Sequence, residues 1–234
     1  MIPTAKELRA EAWNALREGS YWPFVGALLI LSLISVGFIF PSALIVGITV
    51  SAVGDNLEPV RLYALGTLLA TLIAVPLLYF SGLNMFSQST MSLLVMRRNM
   101  KFEQFWSGWG HGWRTVWLML VQSLYIQLWC LLLIVPGIMK AFSYSMAYFV
   151  LADHPDWGAN QCLAESQRLM KGSRWRLFCL NFSFIGWYLL LIAAAFLPCG
   201  GFAQYFLFPY VYSANAAFYE DLKARSPNLD AMLA

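Results

Sequence analysis

The sequence predicts an all-α, polytopic integral membrane helical bundle with about six transmembrane helices, and three observations favour that fold class. Hydrophobic residues make up 60% of the 234-residue chain and charged residues only 12%, whereas soluble domains average about 25% charged residues. Several apolar runs are as long as the roughly 20 residues that a helix needs to cross a bilayer. The basic residues are grouped between these runs instead of being scattered along them.

The grouping of the basic residues predicts a topology. All but Arg61 and Lys140 of the 15 Lys and Arg residues lie in the N-terminus, a central loop, a second loop or the tail. Those segments contain Lys6, Arg9 and Arg17; Arg97, Arg98, Lys101 and Arg114; Arg168, Lys171, Arg174 and Arg176; and Lys223 and Arg225. If two crossings join each consecutive pair, all four lie on one face, which the positive-inside rule assigns to the cytoplasm. Both termini are then cytoplasmic.

The apolar runs define the elements of a single membrane domain, residues 1–222, followed by a tail, 223–234. The six spans are expected at about 22–53, 62–90, 115–135, 138–152, 177–197 and 202–219. The first run is longer than a bilayer requires, so a tilt or a bend near Pro41 is expected to absorb the excess. Residues 1–20 form a separate interfacial helix, because Leu8, Ala12, Ala15 and Leu16 recur at helical spacing.

A second amphipathic helix is expected on the cytoplasmic side over residues 156–172, with Asp156 as its N-cap. Its apolar stripe consists of Cys162, Ser166, Leu169 and Met170. Such a helix either lies on the membrane surface or packs across the spans.

The segment 115–152 leaves two alternatives open, because Pro136 and Gly137 interrupt a regular helix. In the favoured alternative, a tight hairpin at residues 136–138 starts a short fourth span and Lys140 extends to the outer surface. In the other, the segment is a re-entrant element with no net crossing.

Several functional classes are disfavoured by the composition. The four cysteines have no CxxC spacing, the methionines are scattered, and no phosphate-binding glycine motif occurs, so we expect no metal and no cofactor. The basic residues flank apolar spans, which favours lipid headgroups over nucleic acid as their partners. An acid–base site at Asp153, His154, Asp156 and Glu165 matches no hydrolase or metal motif. The chain is therefore expected not to be an enzyme.

Two sets of candidate site residues remain. Polar side chains within the spans form a candidate polar or transport site: Lys140, Gln122, Gln127, Asn181, Gln204 and Asn215. The amides could instead have a purely structural role, in which they form hydrogen bonds between helices, and Lys140 could be an interfacial anchor. Basic loop residues are candidate lipid-headgroup contacts: Arg97, Arg98, Lys101, Arg114, Arg168, Lys171, Arg174 and Arg176.

Parts of the chain resemble a known family. The block from Leu133 to Met146, followed by residues 152–156, resembles the signature of the bacterial DUF975 family of integral membrane proteins. Residues 166–178, 184–187 and 209–222 also resemble it, and residues 9–25 do so more weakly. The resemblance implies a multi-pass protein of the bacterial cytoplasmic (inner) membrane, with a looser similarity to the membrane domains of some glycerophosphodiester phosphodiesterases. The family's function is unknown, so no catalytic residues carry over, and His154 stands where the family pattern has Asn.

The functional expectation is a protein that acts by association. A scaffold or accessory subunit would present its basic cytoplasmic face to membrane lipids, to further copies of itself as a homo-oligomer, or to a membrane protein partner. The alternative is a channel or a small-solute or lipid transporter with its site at the Pro136–Gly137 helix break.

Overall fold

The computed structural model describes residues 3–18, 21–53, 59–99, 110, 112–196 and 202–233. Those residues are helical almost throughout and contain no strand, which confirms the all-α class. The helices are α1 (Ala5–Arg17), α2 (Tyr21–Val53), α3 (Pro59–Met96), α4 (Gly112–Leu132), α5 (Ile134–Tyr144), α6 (Ala147–Asp153), α7 (Ala159–Leu169), α8 (Arg174–Phe182), α9 (Ile185–Ala195) and α10 (Ala203–Leu233).

Three helical segments of the described chain are long and apolar enough to cross a membrane: residues 65–96, α4, and the α5–α6 segment Ile134–Asp153. Two bent pairs raise the number to five, α1 with the first part of α2 and α8 with α9. The expected sixth span, 202–219, overlaps the first part of α10 and is not among them. Amides and tyrosines, including Gln204 and Asn215, make that segment less apolar than the three candidate spans.

Helix α1 has the predicted apolar face, but that face does not lie against the membrane surface. Leu8, Ala12, Ala15 and Leu16 are all buried within the protein, where α1 packs mainly against α10 and also against α3 and α8. A capping box starts the helix, because the Thr4 hydroxyl accepts from the Glu7 N–H while the Glu7 carboxylate accepts from the Thr4 N–H.

Helices α4 and α5–α6 form a hairpin that turns at Leu133, whereas the sequence predicted a turn at residues 136–138. Leu133 is extended, and Pro136 lies in the first turn of α5, where a missing N–H is tolerated. Gly137 packs so closely on Cys130 that an added Cβ would lie 2.8 Å from the Cys130 Cα. The chain then returns to the start of α4, since Arg114 Nη1 donates to the Pro155 carbonyl at 2.6 Å.

Helix α7 packs across the hairpin. For this amphipathic helix the sequence left two alternatives, the membrane surface or the other helices, and its apolar stripe contacts the other helices. Cys162, Ser166, Leu169 and Met170 are buried, and α7 contacts α4, α5 and α6. The Ser166 hydroxyl donates to the Ser143 carbonyl of α5 at 2.7 Å. The expected N-cap at Asp156 was wrong, because the helix begins after Gly158, whose N–H donates to Gln161 Oε1.

Most of the buried side chains in the described bundle are apolar. One cluster of buried side chains joins α1, α3, α4, α5, α6, α7, α8 and α10, and a second joins α1, α2 and α3. Leu118, Met170 and Phe218 are fully buried in the first cluster. The basic segments lie at the helix ends around this core.

Candidate functional site

A buried carboxylate, Asp153, lies at the centre of the densest polar cluster. Its side chain is only 5% exposed and pairs with Arg97 Nη2 at 2.8 Å through Oδ1 and with Lys223 Nζ at 2.6 Å through Oδ2. The Tyr219 hydroxyl donates to Oδ2 at 3.0 Å, and Arg97 Nε donates to Glu220 Oε1 at 2.7 Å. We call Arg97, Asp153, Tyr219, Glu220 and Lys223 the Asp153 cluster.

The Asp153 cluster contains two acids and two bases, so its charges balance. Burial lowers the pKa of Arg97, but the hydrogen bonds and charges of Asp153 and Glu220 outweigh that effect and raise the pKa above its ordinary value. Arg97 therefore remains a cation. The arrangement ties the end of α3 to the end of α6 and to α10, and it leaves the Asp153 carboxylate with donors on both oxygens.

A second cluster lies one residue further along α10. Asp221 accepts from Arg176 Nη2 and pairs with Arg225 Nη2, each at 2.8 Å. Arg176 also donates to the Pro3 carbonyl at 3.2 Å, and its guanidinium lies 5.2 Å from the centre of the Phe218 ring. This cluster joins the start of α8 to α10 and to the N-terminal segment.

Direct contacts bring the four basic segments together at one end of the bundle. Arg97 of the central loop contacts Glu220 and lies beside Lys223 of the tail through Asp153, and Arg98 pairs with Glu18 at 3.2 Å. Arg176 of the second loop contacts Pro3. The prediction that these segments share one end therefore agrees with the geometry of the described chain.

Most of the predicted headgroup contacts are occupied by protein carboxylates. Ion pairs engage Arg97, Arg98, Arg114, Arg168 and Arg176. Lys171 is exposed, and neither it nor Arg174 forms an ion pair with the described residues. Lys101 lies outside those residues. The charge available to lipid in these loops is thus smaller than the sequence suggests.

Lys140 is half-buried between three helices and does not stand free at the outer surface. Its Nζ donates to Gln167 Oε1 of α7 at 3.2 Å and lies 5.0 Å from the Trp129 ring centre and 5.8 Å from that of Tyr144. Two aromatic faces and one amide stabilise the ammonium group. No carboxylate within the described chain pairs with it.

The other candidate transport residues form no hydrogen bond with Lys140 in the described structure. Gln122 has a buried Oε1 without a hydrogen-bond partner in the described structure, and Gln127 is exposed. Asn215 donates to the Val211 carbonyl of its own helix at 3.1 Å. Asn181 and Gln204 are half-buried. No hydrogen bond between any two of these six side chains occurs among the residues that the structure describes.

The four residues considered as an acid–base site each interact with a different partner. Asp153 belongs to its own cluster, Asp156 is almost fully exposed and pairs with Arg114 at 3.4 Å, and Glu165 pairs with Arg168. His154 stacks on Trp157, with ring centres 4.2 Å apart. In the described part of the chain, no three His, Cys, Asp or Glu residues are grouped to hold a metal ion.

An apolar groove that sequence reasoning missed lies between α1, α9 and α10. Its volume is about 730 Å³, and its lining includes Arg9, Trp13, Tyr21, Trp187 and Tyr210. The sequence feature that could have predicted this groove is Arg9, a basic residue next to the apolar Leu8 and one helical turn before Trp13. We call this cavity the Arg9 groove.

Taken together, the fold and these clusters define a helical protein with apolar segments suited to a membrane and charges paired at one end. The family described as Protein of unknown function (DUF975) matches residues 116–226. This match supports the resemblance drawn from the motifs between α5 and α10, whereas Arg9, Arg97 and the N-terminal part of the resemblance lie outside it. No curated protein and no solved structure matches the chain.

Proposed function

We propose that this chain is a non-enzymatic, multi-pass protein of the bacterial cytoplasmic membrane that acts by association, as a scaffold or as an accessory subunit. The observation that carries the proposal is the meeting of four distant chain segments at one end through the Asp153 and Asp221 clusters. Ion pairs of this kind favour one arrangement of the helices over alternatives.

The apolar core supports the same proposal. Its fully buried side chains, which include Leu118, Met170 and Phe218, pack helices from distant parts of the chain together near the end that holds the ion pairs. In the proposed topology, six crossings place both termini and the paired clusters in the cytoplasm. Lys171 and Arg174 then supply the cationic surface that remains for an anionic partner or leaflet.

The oligomeric state of the full chain tests the proposal. Native mass spectrometry from mild detergent and from nanodiscs should give a defined oligomer or a stoichiometric complex with a membrane protein. Replacing both Lys171 and Arg174 by Glu should weaken a complex that uses the cationic surface. The matched control, Asn160→Glu, adds an acid to an exposed position of α7 and should leave the complex intact.

A chain that remains monomeric without a partner at every protein concentration, in both detergent and nanodiscs, would contradict the proposal. The same result in a double variant alone would only place the contact on the cationic surface. Crosslinking in intact membranes before extraction guards against dissociation by detergent.

The surroundings of Lys140 favour a second candidate, a channel or transporter for an anionic or lipid solute. Its half-buried ammonium has an amide and two aromatic rings as partners and no carboxylate in the described chain. In proteoliposomes, Lys140→Ala should abolish flux if this candidate is right. Wild-type proteoliposomes that show no flux above protein-free vesicles would dispose of it.

A further inference from the structure

The mouth of the Arg9 groove is rigid and cationic. Arg9 Nε donates to the Tyr210 hydroxyl at 3.2 Å, and Nη1 donates to the Ser183 carbonyl at 3.3 Å. The guanidinium also lies 4.9 Å from the Phe184 ring centre. These contacts fix the side chain and leave Nη2 without a partner in the described structure, so donors remain for a ligand.

Arg9 has no counter-charge among the described residues, unlike Arg97 and Arg176. Arg97 and Arg176 each pair with carboxylates, whereas no ion pair of the described residues includes Arg9. An anion that binds next to a half-buried cation is attracted to it more strongly than it would be in bulk water, because the apolar surroundings have a lower dielectric constant. The groove therefore carries an electrostatic preference for a negatively charged group at this end.

Aromatic side chains frame the mouth around Arg9. Trp13 contacts Tyr210 edge-to-face, with ring centres 5.6 Å apart, and the Tyr21 hydroxyl donates to the Phe206 carbonyl at 2.9 Å. Trp and Tyr are the residues enriched at the level of lipid headgroups, because they have an apolar body and a polar tip. This composition suits the junction between a polar headgroup and its hydrocarbon chains.

Beyond the mouth, the groove is apolar. Leu190, Leu191 and Ala194 of α9 face Ala203 and Leu207 of α10 across it. The alanines leave space that larger side chains would fill. A volume of about 730 Å³ falls within the range of 300–1,000 Å³ that is usual for ligand sites. A soluble anion would gain nothing from these walls, whereas an acyl chain would bury its surface there.

We propose that the Arg9 groove binds one anionic phospholipid, with its phosphate at Arg9 and an acyl chain along the walls of α9 and α10. The guanidinium supplies charge-assisted hydrogen bonds to the phosphate oxygens. A zwitterionic lipid would bring its own cation to the same mouth and would bind less well. The site serves a scaffold or a transporter equally, so it stands apart from the proposed function.

Native mass spectrometry of the full chain in detergent tests the proposal with three probes. They are dioleoylphosphatidylglycerol, dioleoylphosphatidylcholine with the same chains, and glycerol 3-phosphate, which has no chains. The wild-type protein should bind one phosphatidylglycerol about tenfold more tightly than phosphatidylcholine, as expected for a hydrogen bond to a charged group. Glycerol 3-phosphate should bind at least about tenfold more weakly than phosphatidylglycerol, because it lacks the hydrophobic contribution.

Variants separate the two halves of the site. Arg9→Gln should abolish the preference for phosphatidylglycerol, and Arg9→Lys, which keeps the charge, should retain most of it. Ala203→Trp should fill the groove and weaken phosphatidylglycerol binding while leaving every contact of Arg9 in place. The matched control is Lys6→Gln, which removes an exposed cation of α1 that does not line the groove and should change nothing.

Equal binding of the two phospholipids to the wild-type protein would overturn the proposal, as would a lipid preference that survives Arg9→Gln. Tight binding of glycerol 3-phosphate would also overturn it, because the groove would then be a soluble-anion site. If Arg9→Gln fails to fold, Ala203→Trp decides, and unchanged phosphatidylglycerol binding in that variant would refute the site.

Discussion

The Asp153 carboxylate lies 2.8 Å from Arg97 Nη2, and this contact joins two helix ends that are 56 residues apart in the chain. Asp153 ends α6 and Arg97 follows α3 directly. Lys223 of α10 completes the arrangement on the other carboxylate oxygen. Asp153 therefore links three helices at this end of the bundle.

Asp153→Asn should destabilise the bundle, because it leaves Arg97 and Lys223 without their shared anion. The bases are partly exposed, with side-chain accessibilities of 41% and 46%, so solvent screens part of the loss. We expect a decrease of about 1–3 kcal/mol in the free energy of unfolding, measured in mixed detergent micelles. Asp156→Asn is the control, since that side chain is 94% exposed and its loss should cost less than about 0.5 kcal/mol. Equal effects of the two variants would refute a special role for Asp153.

Gly137→Ala should open the α4–α5 hairpin. The added methyl group would lie 2.8 Å from the Cys130 Cα and 2.9 Å from its backbone nitrogen, and backbone atoms yield less readily than flexible side chains. We expect a loss of about 1–3 kcal/mol in unfolding free energy. Gly186→Ala in α9 is the comparison, because nothing lies within 4 Å of its added methyl group, and it should be neutral or stabilising. A neutral Gly137→Ala variant would contradict the packing described for the hairpin.

Cys162 should resist alkylation in the folded protein. Burial raises the pKa of its thiol to about 11, so the group stays protonated below that pH and the reactive thiolate is scarce at pH 8. Peptide mapping after treatment with N-ethylmaleimide should find Cys162 unmodified until the protein is denatured. A cysteine introduced at the exposed position 171 should react within the same time. Rapid modification of native Cys162 would show that α7 does not pack as described.

Cysteines introduced at Asn99 and Lys171 should be labelled from the same side of the membrane. Both positions are exposed, and their segments are joined to α10 through Arg97–Glu220 and Arg176–Asp221. A membrane-impermeant maleimide should reach neither site in intact cells and both sites in opened vesicles, in accord with the proposed cytoplasmic location. Labelling of one position from outside and of the other only from inside would rule out the topology.

The sequence predicted the helical class and most of the helices, because composition and periodicity act locally. The apolar faces of α1 and α7 were correctly identified from the spacing of Leu8, Ala12, Cys162 and Ser166. The surface that packs against the apolar face of α1 was not correctly identified. We expected the membrane surface, whereas that face packs against other helices of the protein. An amphipathic pattern states that a face is buried, but lipid and a neighbouring helix satisfy it equally well.

The candidate site was less predictable than the fold. Basic residues assigned to lipid, such as Arg97 and Arg176, turned out to pair with acids distant in the chain. Lys140, expected at the outer surface, bonds to Gln167 of another helix. Neither partner could be chosen from the sequence, because a charge pattern shows which groups need partners and not which of several groups tertiary packing brings within reach.

What the sequence determined by itself was the largely apolar composition, the helical segments and the grouping of the bases into four short stretches. Each of these follows from composition or from the 3.6-residue period of a helix. Only the tertiary structure decided that Asp153 serves both Arg97 and Lys223, that the hairpin turns at Leu133, and that Arg9 borders an apolar groove without a counter-charge. Those outcomes depend on distances between residues far apart in the chain, which are fixed when the helices pack against one another.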